Sequence, residues 1–248
     1  MASLPNYDLN DPRMNYDENL AAQLSALEGD AYQEKLGELQ LLQWRNKAIN
    51  DTYEPGSTFK ILTLAMALEE GLIDESSTFN CAGHINVEGW PKPMYCSKRS
   101  GHGQQTLAQA VANSCNPAFI QMGLKVGTDK FYQYVSDFGL LDTTGIDLQG
   151  EGKGIFFDEE EFGKNVVSLA SAAFGQTFNV TPIALITAEA AAVNGGYLYE
   201  PYLVQQVLDS DGNVVYEHDS TPVRQVISEE TSERVCALLE GVVDGGTG

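Results

Sequence analysis

The stretch Asp51-Thr-Tyr-Glu54-Pro-Gly-Ser57-Thr-Phe-Lys60-Ile-Leu-Thr-Leu-Ala-Met-Ala-Leu-Glu-Glu-Gly71 decides how the rest of this chain is read. Asp51 to Gly56 is a polar turn carrying Pro55-Gly56. From Ser57 the residues become almost wholly apolar until Gly71, which suits a helix stop. A helix apolar on nearly every side belongs at the centre of a fold. Ser57 at its first turn lies near unpaired backbone N–H groups and the positive end of the helix dipole. Lys60, one turn on, shares its face at about 5–6 Å between Cβ atoms. A poorly solvated ammonium loses its proton more readily, so Lys60 is a candidate base for Ser57 as nucleophile. The plainer reading is an N-cap serine beside a lysine that snorkels or pairs with a glutamate.

Downstream, Ser114-Cys115-Asn116 breaks two expected helices, about Thr106–Asn113 and Pro117–Val126, with Pro117 suited to the first turn of the second. A hydroxyl and a carboxamide at such a break can face one cleft. Ser114 is then a proton shuttle and Asn116 a donor to a substrate amide and a neighbour of Lys60. Capping chemistry ahead of Pro117 is the plainer alternative. S-x-x-K followed by S-x-N matches two parts of a three-part set used by serine acyltransferases.

Farther out, leucines at helical spacing (Leu20, Leu24, Leu27, then Leu36, Leu39) predict one or two amphipathic helices between Glu18 and Trp44. Residues 72–103 read as loops and a short hairpin, and 139–165 as a Gly- and Asp-rich loop. Helices are expected over Thr128–Phe138, Thr181–Val193 and Ser228–Val243. A hairpin is expected between Tyr197–Val207 and Val214–Glu217, turning at Asp209–Asn213. The mix is α+β. Fourteen Lys and Arg against 35 Asp and Glu give a net charge of −21 over 248 residues. A chain this acidic repels nucleic acid. At 43% hydrophobic residues it is nevertheless built to fold. No apolar run reaches the length of a membrane span, and the N-terminus lacks the features of a signal peptide.

Several stretches in order resemble the transpeptidase domain of class B penicillin-binding proteins, closest to the septal-division and sporulation-specific subgroup. They are Met1–Asp8, Trp44–Ile61, His102-Gly103, Ser114–Phe119, Phe174-Gly-Gln176, Val180-Thr-Pro182 and Asn194-Gly-Gly196. The resemblance implies a penicillin-binding-protein/serine β-lactamase-like fold, a helical subdomain plus an antiparallel sheet. It covers residues 1–248 as one partial domain, except for a probable helical insertion at about 15–43. There Asp17, Glu18, Glu28, Asp30, Glu34 and Glu38 face a single Lys35. It further implies that Ser57 is acylated, with Lys60 as base, Ser114 and Asn116 as second motif, and the Ser57 N–H as one oxyanion donor. The substrate would be the D-alanyl-D-alanine end of a peptidoglycan stem peptide, and β-lactam antibiotics would acylate the same serine. Division or sporulation membrane proteins would be partners. The site would face outward at the bacterial membrane, anchored by an N-terminal segment missing from this chain. No cofactor is implied.

The family's third motif, Lys-Thr/Ser-Gly, occurs nowhere in the sequence. Gly246-Thr-Gly248 resembles the segment preceding it, so the fold is expected to be incomplete at the C-terminus and the chain weak or inactive alone. Cys81, Cys96, Cys115 and Cys236 include no C-x-x-C pair, and His84, His102 and His218 are scattered, so these spacings predict no metal site. His102-Gly103 is expected to shape a loop near the cleft. A Cys96–Cys115 bridge would pull the Ser114–Asn116 loop and make activity redox-sensitive; Cys81–Cys96 is the competing pair, and free buried thiols are the third possibility. Two other functions compete: a serine β-lactamase or β-lactam sensor, and a non-catalytic division or sporulation scaffold acting through the acidic 15–43 stretch.

Overall fold

The computed structural model describes residues 7–13 and 18–246. Met1–Asn6, Met14–Asp17, Thr247-Gly248 and the side chain of Leu20 lie outside the described residues. The chain forms two compact units, residues 1–51 and 52–248. The first holds helices α1 (Glu18–Leu24), α2 (Gly29–Trp44) and α3 (Lys47–Asn50). From Glu18 on, the stretch read as an insertion is mostly helical and belongs to this unit. Trp44 Nε1 and Gln40 Nε2 donate to the carbonyls of Pro12 (2.6 Å) and Arg13 (2.9 Å), tying the segment before α1 to α2. The leucine spacing is only partly a buried stripe. Leu24 and Leu39 are buried and Leu27 and Leu36 half-buried, while the neighbouring Leu41, Leu42 and Trp44 are exposed.

The second unit begins with a 3₁₀ turn, Gly56–Phe59, that runs into α4, Lys60–Glu69. Ser57 therefore sits in the tighter turn ahead of the α-helix and not inside it. Gly56 (φ +59) donates to the Gly175 carbonyl at 2.8 Å, and a Cβ on Gly175 would lie 1.9 Å from the Gly56 oxygen. Only glycine lets the two backbones meet here. Every residue from Leu62 to Leu68 is buried. Gly71 (φ +63) then ends the helix as expected: its N–H bonds Leu68 and the Leu72 N–H bonds Ala67, a Schellman closure. Phe59 stacks edge-on with Phe178, ring centroids 4.9 Å apart.

Next, β1 (Thr78–Cys81) bypasses a small hairpin, β2 (His84–Ile85) and β3 (Met94–Tyr95), to pair antiparallel with β4 (Gly103–Thr106). Thr106 and Gln109 form a reciprocal capping box for α5 (Leu107–Ala112). Then come α6 (Asn116–Val126) and α7 (Thr128–Asp137). Two helices were not expected: α8 (Glu159–Gly163) and α9 (Val166–Ala172). The first is one acidic turn anchored by Phe162. The second has no polar face to set a period, since Ser168 and Ser171 are buried with Leu169, Ala170 and Ala172. Its start is fixed by Asn165, which accepts from the N–H groups of Val167 and Ser168 at 3.1 Å each.

After α10 (Pro182–Val193) the strands depart from expectation. The long hairpin shrinks to β6 (Gln206–Leu208) against β7 (Val214–Glu217), while β5 (Tyr197–Leu198) pairs with β8 (Arg224–Gln225). Between them, Asp147 captures the N–H groups of Leu203 (2.8 Å) and Val204 (2.7 Å), and Pro201 has no N–H to give. The expected antiparallel sheet takes the form of four two-stranded antiparallel ladders among the described residues. Finally α11 (Glu229–Gly245), capped by Ser228, packs along α5, α4 and α10.

Since α4 is the centre of this packing, Leu62→Ala should cost about 2–5 kcal/mol. The exposed control Leu203→Ala should stay within about 0.5 kcal/mol. Urea unfolding monitored by circular dichroism checks both.

Candidate active site

Three side chains singled out in the sequence converge on the nitrogen of a fourth, Lys60. Lys60 Nζ donates to Ser57 Oγ (3.0 Å), Ser114 Oγ (2.9 Å), the Ser114 carbonyl (2.9 Å) and Asn116 Oδ1 (2.7 Å). Helical periodicity supplies the first contact, because Ser57 and Lys60 are one turn apart. The others come from the break between α5 and α6. There Ser114 adopts a left-handed conformation (φ 46), with its N–H on Val111 and the Cys115 N–H on Ala110. This is a helix-stop geometry usually given to glycine; a serine in it carries strain of about 1–3 kcal/mol, and its hydroxyl is turned back over Lys60. Asn116, opening α6, donates from Nδ2 to the Tyr95 carbonyl at 3.0 Å, which fixes its Oδ1 toward the lysine.

Lys60 is only 4% exposed. No carboxylate pairs with it among the described residues, so the snorkelling or glutamate-paired alternative does not hold. Burial pushes its pKa from 10.5 down to about 8, with a partial return from the nearby Cys115 and Cys96 sulfurs. At pH 7 about one Lys60 in ten is then neutral, against about one in three thousand for a free lysine. An ammonium has three protons for four acceptors, whereas the amine has a lone pair for the Ser57 proton. The Phe119 ring lies 5.4 Å below Nζ.

Ser57, Lys60 and Ser114 line a cavity of about 280 Å³ with apolar walls from Ile61, Leu64, Leu239 and Val242. Asn116 faces a larger groove of about 670 Å³, with Trp90, Tyr95, Arg99, Gln176 and Thr177 on its sides. The Ser114–Asn116 break thus spans both. Sequence reasoning missed Thr177, a β-branched residue at φ 72, held by Glu54 (2.9 Å from its N–H) and by Ser171 (2.7 Å between hydroxyls). Its one legible signal was its place beside Phe174-Gly-Gln176. Glu189 on α10 was also missed: burial raises its pKa to about 7, which the nearby Thr58 hydroxyl, next to the serine, partly offsets.

Cys96 and Cys115 are brought together as expected, but both are free buried thiols, and Cys81 is equally part of the group. His102 lies just before β4, and its Nδ1 is 3.6 Å from Cys96 Sγ. The fold gathers these residues from four separate segments, which neighbours in sequence do not reveal.

The whole chain, residues 1–248, matches the family described as the penicillin binding protein transpeptidase domain. Stage V sporulation protein D of Bacillus subtilis is 48% identical over 206 residues, 82% of this chain and 31% of that protein. The D,D-transpeptidase domain of a peptidoglycan glycosyltransferase from Eggerthella lenta superposes with a TM-score of 0.78 at 28% identity, covering all of this chain and 58% of that one. Penicillin binding protein 3 of Mycobacterium tuberculosis, solved with aztreonam, gives a TM-score of 0.77 at 25% identity over 86% of this chain and 48% of that one. The chain spans about a third of the length of the first curated relatives it matches.

Glu189 supplies a test of the electrostatics beside Ser57. Its folded pKa, about 7, is above the ordinary 4.5, so its stabilising share is complete below pH 4.5 and is lost as pH rises through 7. Relative to Glu189→Gln, the unmodified protein should lose up to about 3 kcal/mol between pH 4.5 and 8. Parallel urea titrations across that range measure it.

Proposed function

This chain belongs to the penicillin-binding protein transpeptidase family, and on that premise we propose that it carries the acylation centre of a D,D-transpeptidase that cross-links peptidoglycan stem peptides. The observation that carries the reading is the buried Lys60 amine within hydrogen-bond distance of Ser57, Ser114 and Asn116 at once. The neutral fraction of Lys60 takes the Ser57 proton as Oγ attacks the carbonyl between the two terminal D-alanines. The Ser57 N–H, at the start of a helical turn, donates to the developing oxyanion. Lys60 returns the proton through Ser114 to the leaving amine, so D-alanine departs and an ester remains on Ser57. An amine from a second stem then attacks that ester, with the same groups carrying protons in reverse. Asn116 orients the donor strand from the groove side, where Trp90 and Tyr95 offer apolar walls.

β-lactams fit the same chemistry, since their ring amide is attacked as the peptide is and the ester persists. The structure with aztreonam supports this by likeness. The likeness to a sporulation protein favours service in spore formation, with membrane-bound cell-wall proteins as partners and an extracytoplasmic site. No helix among the described residues is long and apolar enough to cross a membrane.

Treatment with a fluorescent penicillin followed by peptide mass mapping tests the reading. The adduct is expected on Ser57, absent from Ser57→Ala, and persistent after excess reagent is removed. Because no Lys-Thr/Ser-Gly occurs in the sequence, labelling of this chain should be slow; rapid stoichiometric labelling would contradict that part. The acylation rate should climb about tenfold per pH unit below 8 and level off above it, following the neutral fraction of Lys60. Lys60→Ala should lower it at least about a hundredfold and abolish the pH dependence. An adduct that hydrolyses promptly would identify a β-lactamase instead.

A further inference from the structure

Acidity is spread unevenly along this chain. Residues 89–128 contain Lys92, Lys98, Arg99 and Lys125 and none of the 35 Asp and Glu. Part of that stretch walls the groove of about 670 Å³ that Asn116 faces, and no carboxylate from any other described segment lines it. Arg99 is the one charged side chain on its walls among the described residues. In a protein of net charge −21, a groove whose fixed charge is positive gathers anions that the surrounding surface repels.

Arg99 is free to receive one. Arg45, Arg224 and Arg234 each pair with a carboxylate, of Asp51, Asp137 and Glu75, whereas Arg99 pairs with none among the described residues. Its guanidinium carbon lies 3.9 Å from the centroid of the Tyr95 ring. That cation–π contact occupies the face of the planar group and leaves its N–H edge open. The backbone beneath is pinned. The Gly101 N–H closes a turn on the Lys98 carbonyl at 2.9 Å, with Arg99 at the corner. Gly83 packs so closely that a Cβ there would lie 2.0 Å from the Arg99 carbonyl oxygen. The Tyr95 carbonyl accepts from Asn116 Nδ2 at 3.0 Å, and Asn116 Oδ1 accepts from Lys60 Nζ at 2.7 Å. Short contacts therefore link the residue whose ring carries Arg99 to the lysine beside Ser57.

Resting on the transpeptidase reading above, we propose that Arg99 is a specificity-determining residue that binds a free carboxylate on the acyl part of the donor stem, on the residue before the two terminal D-alanines. A carboxylate accepts two parallel N–H bonds from the edge of a guanidinium. The corresponding amide offers one acceptor and no charge, so stems with that group amidated or absent are held less well. Trp90 and Phe174 wall in the aliphatic part of the same residue. The contact is the same before and during bond breaking, so it acts on capture of the donor and leaves the chemical step to Ser57 and Lys60.

The test compares benzylpenicillin with carbenicillin, which differ by one carboxylate on the acyl side chain, as acylators of Ser57 followed by intact-protein mass spectrometry. The ratio of second-order rate constants, carbenicillin over benzylpenicillin, should fall about three- to tenfold in Arg99→Gln, as for a charge-assisted pair open to solvent. The fall should lie in the concentration giving half the limiting rate and not in the limiting rate itself. Arg99→Lys, which keeps the charge without the flat fork, should lie between the two. Lys125→Gln removes the same charge outside the groove and should leave the ratio unchanged. Arg99 is exposed, and circular dichroism checks that the variants fold. A ratio unchanged in Arg99→Gln, or lowered equally by Lys125→Gln, would overturn the proposal. If neither penicillin acylates Ser57, the transpeptidase reading fails separately and binding decides the role of Arg99. The probe is then acetyl-diaminopimelyl-D-alanyl-D-alanine, its side-chain carboxylate free or amidated, titrated into Ser57→Ala by nuclear magnetic resonance. Tighter binding of the free acid, lost when Arg99→Gln is added, is the expected result. Equal binding of the two peptides, or none, would overturn the proposal.

Discussion

A lysine ammonium buried to 4% exposure without a carboxylate beside it is a costly object, and the second unit is built around tolerating it. The cost is met by four oxygens, all uncharged, which solvate the nitrogen without stabilising its charge as strongly as an anion would. Had Glu54 or Glu189 reached Nζ, the pKa would rise and Lys60 would be a structural cation. Instead Glu54 is committed to the Thr177 N–H, and Glu189 sits beside Thr58 and leans toward its neutral form. The site's basicity therefore follows from where the carboxylates are kept.

That arrangement needs a chain break at one place. Helix α4 delivers Ser57 and Lys60 on its own, but Ser114 and Asn116 reach the lysine only because α5 stops in a left-handed serine and α6 restarts at once. The strain in Ser114 is offset by the bonds its hydroxyl and carbonyl receive from Lys60. Tyr95, through its carbonyl, pins Asn116, so the β2–β3 hairpin contributes to the site without a reacting group.

Much of this was legible in local sequence. Pro55-Gly56 ahead of an apolar run gave α4 and the serine–lysine spacing, and Thr106, Pro117, Thr181 and Ser228 marked helix starts through capping chemistry that acts over one turn. What was illegible depends on partners far along the chain. The 3₁₀ turn under Ser57 reflects the close approach of Gly175, more than a hundred residues away. Helix α9 lacks a polar face because Ser168 to Ala172 are all buried, so periodicity gave no signal. Strand β5 does not run on into β6, since Asp147 takes the backbone donors of Leu203 and Val204 between them. The cysteine group is the sharpest case: separations of 15, 6 and 13 residues between Cys81, Cys96, His102 and Cys115 match no ligand motif, yet two strand pairings and a helix break bring them together.

The central claim is that a neutral fraction of Lys60 activates Ser57. It is tested most directly by the pH dependence of penicillin ester formation at Ser57, read by mass spectrometry on the intact chain and on Lys60→Ala. The account requires an adduct mapped to Ser57 whose rate rises with pH to a plateau above about 8 and which depends on Lys60. A rate indifferent to pH between 6 and 9, or one that survives the loss of Lys60, would contradict it.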